Sequence, residues 1–212
     1  MVTGGRLYLR DQHTLFCYDV TQDALEKQRP EAKTVVLQPP VPPAAPDRAA
    51  RSRTLRSIFV PTPEDIVDKM LELADVKDTD VVYDLGSGDG RILITAAKKY
   101  GCRAIGYEID RELVELSREN AKKAGVEELV KIEHKDLFTA DLSSADVIAL
   151  YVLPSQLEKL LPQLEKLKPG SRIVSHEFEI PGTTPDKMIE AESKDDSNRH
   201  KVYLWTTPLK KQ

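Results

Sequence analysis

Asp84-Leu85-Gly86-Ser87-Gly88-Asp89-Gly90 is the stretch on which the fold turns. The residues leading into it, Asp80-Val81-Val82-Tyr83, form a short apolar run suited to a strand covered on both faces. The residues after it, 91–100, read as a helix. Three glycines in five positions let the chain turn sharply and approach a ligand with no Cβ in the way. The following helix offers free N–H groups and the positive end of its dipole, which suits an amino-acid carboxylate. The dinucleotide pattern G-x-G-x-x-G fails, because Arg91 stands where a third Gly or Ala belongs. Asp84 can accept hydrogen bonds from an ammonium group and would sit poorly beside a pyrophosphate.

Working outward, residues 103–109 form a second strand ending in Gly106-Tyr107-Glu108-Ile109-Asp110. Glu108 lies 22 residues beyond Gly86, where an acid can take ribose hydroxyls. Ile109 is then placed to pack on an adenine ring. A third strand, 129–136, ends in His134-Lys135-Asp136-Leu137. Asp136 is the expected acceptor for an adenine amino group, with the Leu137 backbone beside it. His134 is expected to be a packed or surface histidine. The expected cofactor set is thus Thr62, Asp84, Gly86, Ser87, Gly88, Gly90, Glu108, Ile109, Asp136 and Leu137.

The remaining elements alternate. Thr62-Pro63-Glu64-Asp65 reads as a helix start, with Thr62 as N-cap and Pro63 at the first helical position. Ile66, Val67, Met70, Leu71 and Leu73 then form an apolar stripe. A helix is expected over 111–125, a fourth strand over 145–152, a helix over 154–170 bent or interrupted at Pro162, and a fifth strand over 171–180. Residues 186–193 and 200–207 read as a terminal hairpin around the polar run 194–199. Alternating strands and helices predict an α/β fold with a Rossmann-like, doubly wound, mostly parallel sheet and an antiparallel C-terminal hairpin strand.

The front of the chain differs. Residues 1–20 suggest a β-hairpin, similar over about sixteen residues to the closing hairpin of a PQQ-type propeller repeat. Residues 21–56 hold six prolines between Pro30 and Pro46 and end in Arg48, Arg51, Arg53 and Arg56, which reads as a disordered linker. The regular domain spans 57–212. A net charge of −4 over 212 residues disfavours general nucleic-acid binding. No run approaches the roughly 18 apolar residues of a membrane span, and no secretory h-region opens the chain. Two cysteines, Cys17 and Cys102, lack metal or redox spacing and read as free thiols, so a cytoplasmic protein is expected. No metal-ligand, Ser-His-Asp or Cys-His constellation stands out in the sequence.

The string 84–101, the segment Phe59-Val60-Pro61-Thr62-Pro63, Gly106–Asp110 and residues 150–167 resemble class I S-adenosylmethionine-dependent methyltransferases. Within that class they are most similar to the FAM173-type protein-lysine methyltransferases, and more distantly to Dot1-type enzymes. The resemblance implies a seven-stranded sheet, S-adenosylmethionine as cofactor and an acceptor amine, with a protein lysine as the expected acceptor. Small-molecule or RNA methyl transfer, or a non-catalytic cofactor-binding module, are the alternatives. Tyr151-Val152-Leu153-Pro154 follows the fourth strand and lacks the [DN]PP[YF] pattern of adenine and glutamine methylating enzymes. Tyr151 and Pro154 can instead wall a narrow, partly apolar channel that desolvates an amine and lowers its pKa. Glu177, after the fifth strand, is placed to orient that amine.

Overall fold

The structure, a computed structural model, describes residues 59–212 and, before them, only the backbone of three short strands. Those strands, β1 (Val2–Thr3), β2 (Arg6–Arg10) and β3 (Leu15–Asp19), pair antiparallel in that order. The proline-rich stretch at 21–56 and its arginine cluster lie outside the described residues. The chain divides into two compact units, Met1–Arg48 and Ala49–Gln212.

The second unit is built on a seven-stranded sheet. Its strands are β4 (Val81–Leu85), β5 (Arg103–Glu108), β6 (Val130–His134), β7 (Val147–Leu150), β8 (Arg172–His176), β9 (Lys187–Glu192) and β10 (Arg199–Thr206). They lie in the order β6-β5-β4-β7-β8-β10-β9. The first five run parallel, and β10 is antiparallel to both its neighbours. Helices α1 (Glu64–Leu73), α2 (Arg91–Tyr100), α3 (Arg111–Lys123) and α4 (Pro154–Leu164) connect and cover them. This is the Rossmann-like, mostly parallel sheet with an antiparallel C-terminal strand.

Every residue of β4 is buried, because both faces of the sheet are covered. On one face Val82, Val147, Val174 and Val202 meet Ile66, Met70 and Leu71 of α1 and Leu93 of α2. On the other Leu85, Ile148, Leu150 and Trp205 meet Leu157, Leu160 and Leu164 of α4. Each such side chain contributes about 1.5–3 kcal/mol by leaving water. The helix α4 runs through Pro162 and stops two residues later.

The start of α1 corrects the expectation for Thr62. The N-cap is Pro63, whose carbonyl accepts from Ile66 and Val67. Thr62 is buried, and its hydroxyl meets His176 Nδ1 at 3.1 Å. The cap comes from across the chain: the Glu64 amide donates to Asp195 Oδ2 at 2.8 Å. Asp65 in turn accepts from Ser193 Oγ and the Lys194 amide. A tertiary partner has replaced the local one, which releases Thr62 inward. No helix among the described residues is long and apolar enough to cross a membrane.

Candidate active site

The strand order reverses between β4 and β7, and ligands in such sheets bind beyond the carboxyl ends of the strands at that reversal. A cavity of about 710 Å³ opens there. Its wall takes Asp84, Gly86 and Ser87 from the end of β4, Glu108 and Ile109 from β5, Asp136 and Leu137 after β6, and Tyr151 after β7. Thr62 and Phe59 close it from the segment before α1.

The glycine loop is folded back on the sheet. The Gly86 and Ser87 amides donate to the Tyr107 carbonyl at 2.9 and 3.1 Å. Gly88 has φ +54°, and a Cβ there would lie 2.1 Å from the Phe59 ring, so this position requires glycine twice over. Its amide donates to Glu108 Oε2 at 2.9 Å. Glu108 Oε1 accepts from the Ile109 and Asp110 amides at 2.8 and 2.9 Å. Three backbone bonds thus fix this buried carboxylate, and about one of its four lone-pair sites is left for a ligand hydroxyl.

Asp84 is buried on the cavity wall, and no hydrogen bond reaches its carboxylate among the described residues. Burial, and then the charges of Glu108 and Asp89, push its pKa up to about 8. The hydroxyl of Ser87 is also buried without a partner. Arg91 lines the same cavity; it grips Asp89 through Nε and Nη2 and reaches the Thr62 carbonyl through Nη1 at 2.8 Å. In the sequence Arg91 breaks the dinucleotide pattern and belongs to the string that resembles the methyltransferase class; in the structure it also ties the glycine loop to the segment before α1.

Ile109 is exposed at the cavity edge, open to one face of a planar ring. Asp136 accepts from the Phe138 amide at 2.9 Å, which turns the chain into the short 3-10 helix Leu137–Thr139. His134 is a surface residue whose Nε2 meets the Ile109 carbonyl. Gly88 and Gly90 shape the loop from behind and do not line the cavity, nor do Pro154 and Glu177. Pro154 is exposed at the first position of α4.

Past the cofactor half of the cavity, Tyr151 and Phe178 stand with ring centroids 6.4 Å apart and planes 20° from parallel. Burial, with the charges of Glu177 and Asp196 added, raises the Tyr151 pKa, so this phenol stays protonated. Behind Tyr151 lies a network that joins Glu177, a candidate from the sequence, to His176, His200 and Asp196, a grouping the sequence does not announce. The His176 ring sits 4.1 Å from that of Tyr151. His176 Nε2 meets His200 Nδ1 at 2.9 Å, and His200 Nε2 meets Asp196 Oδ1 at 3.1 Å. Glu177 Oε1 lies 3.1 Å from His200 Nδ1. Burial, and then neighbouring His200, push His176 down to about 3, so it is neutral. At Asp196 burial opposes ionisation, but bonds from Asn198 and His200 outweigh it and hold the carboxyl near 2.

The residues fit a nucleoside sulfonium amino acid. The partnerless buried carboxylate of Asp84 calls for a cationic ligand, the open acceptor of Glu108 for a hydroxyl, and a 710 Å³ cavity is of the size such a ligand fills. Together with the sheet order, this defines an S-adenosylmethionine-dependent methyltransferase. Residues 84–187 match the family model described as the ANTKMT methyltransferase domain. A protein-lysine N-methyltransferase from Saccharolobus islandicus (strain REY15A) is 47% identical over 149 residues, covering 69% of this chain and 91% of its own length. An adenine nucleotide translocase lysine N-methyltransferase from Mus musculus is 40% identical over 110 residues, covering 51% of this chain and 48% of its own length. A crystal structure described as an RNA methyltransferase from Salinibacter ruber, in complex with S-adenosyl-L-homocysteine, is 53% identical with TM-score 0.66, covering 70% of this chain and 94% of that one. The chain belongs to the protein-lysine N-methyltransferase family that the first two relatives and the ANTKMT domain represent.

Proposed function

We propose that the acceptor is the side-chain amine of a protein lysine. The observation that carries this reading is the parallel pair Tyr151 and Phe178 at the mouth beyond the cofactor half of the cavity. Flat aromatic faces accommodate a four-carbon stem and attract its cationic end. Removal from water favours the neutral amine, which is the nucleophile. The cofactor supplies the activated methyl group; the protein supplies alignment and exclusion of water. Asp84 balances the amino-acid ammonium and Glu108 holds the ribose. Asp136, Leu137 and Ile109 frame the adenine, and Thr62, Ser87 and the glycine loop close around the rest. Tyr151 is a wall and a proton donor rather than a base, since its phenol is held neutral. Pro154 fixes the turn that presents Val152 and Leu153 at the rim.

The likeness to the Salinibacter ruber protein, described as an RNA methyltransferase, supports a second reading, in which an RNA base stacks between the same two rings. Radiolabelled methyl transfer to cell lysate separates the two. The lysine reading expects label that protease destroys and RNase spares, recovered as methyl-lysine after hydrolysis. Label that RNase removes would sink it. We place the reaction in the cytoplasm on the same reading.

A further inference from the structure

We propose that His176, Glu177 and His200 form a binding site for a divalent cation of the zinc class. It lies behind the cavity wall, not in it, since none of the three lines the cavity. The three atoms that converge are His176 Nε2, His200 Nδ1 and Glu177 Oε1, which can all act as ligands at once. Their separations are 2.9, 3.1 and 3.5 Å. A tetrahedral zinc ion with bonds of 2.0–2.1 Å holds its ligand atoms about 3.3 Å apart, so one point serves all three.

The far nitrogens are already spoken for. His176 Nδ1 meets Thr62 Oγ1 and His200 Nε2 meets Asp196 Oδ1, each at 3.1 Å. Partners on the outward nitrogen orient a ligating imidazole and fix which nitrogen keeps its lone pair. His200 Nδ1 lies 2.9 Å from His176 Nε2 and 3.1 Å from the Glu177 carboxylate oxygen. A cation placed between them can take all three atoms at once. Two nitrogens and one carboxylate favour zinc and its neighbours over magnesium or calcium.

The backbone presents the third ligand. Glu177 has φ +65°, and the Phe178 amide donates to the His176 carbonyl at 2.8 Å, a γ-turn of the rare, strained kind. That turn brings adjacent residues His176 and Glu177 to the same point as His200 on the neighbouring strand. Glu177 is the most exposed of the three, its side chain 30% accessible against 1% for His176, and it leaves a fourth position open to solvent. The bound ion would tie the ends of β8 and β10 together directly behind Tyr151.

The test uses the untagged full chain, stripped with chelator, dialysed against Zn²⁺ and then against metal-free buffer. Elemental analysis is expected to give about one zinc per chain, and Co²⁺ in its place to show the strong visible bands of four-coordination. Glu177→Gln and His200→Asn are each expected to bring bound zinc below about a tenth of an equivalent. Asp196→Asn is expected to weaken zinc affinity about 10–100-fold, the effect of losing an outer partner. Binding of S-adenosylhomocysteine by each variant reports that it has folded. Wild-type protein that retains no zinc after this treatment, or a folded Glu177→Gln variant that retains it in full, overturns the site.

Discussion

A carboxyl buried beside two other carboxylates resists ionisation, and Asp84, held at about pH 8, is the residue where this bears on function. Between about pH 3.8 and 8 the folded chain carries a proton on Asp84 that the unfolded chain has released. Stability therefore falls as pH rises through that window. Asp84→Asn removes this loss, so its Tm without cofactor is expected to exceed the wild type's at pH 9. A cation bound against Asp84 reverses the preference. Affinity for S-adenosylhomocysteine is expected to rise toward pH 8, by up to about tenfold per pH unit, with release of a proton. Calorimetry in buffers of different ionisation enthalpy counts that proton. Equal release by wild type and Asp84→Asn would remove Asp84 from the cationic end of the ligand. Glu108→Ala should cost about 1–3 kcal/mol in the same titration, the range for a charged hydrogen-bond partner. Unchanged affinity in the folded variant would take Glu108 out of the site.

At the scale of elements, the start of α1 shows where local rules yield. Thr62-Pro63-Glu64 reads as a cap followed by a first turn, yet Asp195, in the turn between β9 and β10, caps the helix from 131 residues away. Asp195→Ala is therefore expected to lower stability by about 0.5–2 kcal/mol, as loss of a cap does, while leaving cofactor affinity unchanged. A thermal melt and a binding titration on one sample check both halves. The same contrast separates what the sequence reveals from what it hides. The loop 84–90 and Glu108 are legible because a turn and a strand end dictate their residue types locally. The strand–helix alternation is legible because two-sided burial makes the central strands β4 and β7 apolar runs. The group of His176, Glu177, His200 and Asp196 is not. It arises from the pairing of Val202 with His176 in antiparallel register, and from a γ-turn at a residue type that seldom adopts it. No spacing along the chain announces either. Arg91 was hidden for a similar reason, since its partner is a carbonyl 29 residues earlier.

For the whole molecule, the question is how much chain the reaction needs. Among the described residues, both faces of the sheet are covered by side chains from Ile66 onward, and the cavity is lined by residues between Phe59 and Phe178. The Glu108 carboxylate that would hold the ribose takes its fixing bonds from within the same range. The unit Ala49–Gln212 thus contains its own core and the described ligand wall, while Met1–Arg48 forms a second unit with a small sheet of its own. A domain that buries its own apolar faces folds by itself. The fragment 49–212 is accordingly expected to unfold in a single cooperative transition and to bind S-adenosylhomocysteine within about twofold of the full chain, a difference below about 0.5 kcal/mol. If the fragment folds but binds tenfold more weakly, the first 48 residues contribute to the cofactor site. If it binds normally but no longer methylates the substrates of the full chain, the N-terminal unit selects the acceptor, and the division between the two units is one between chemistry and recognition.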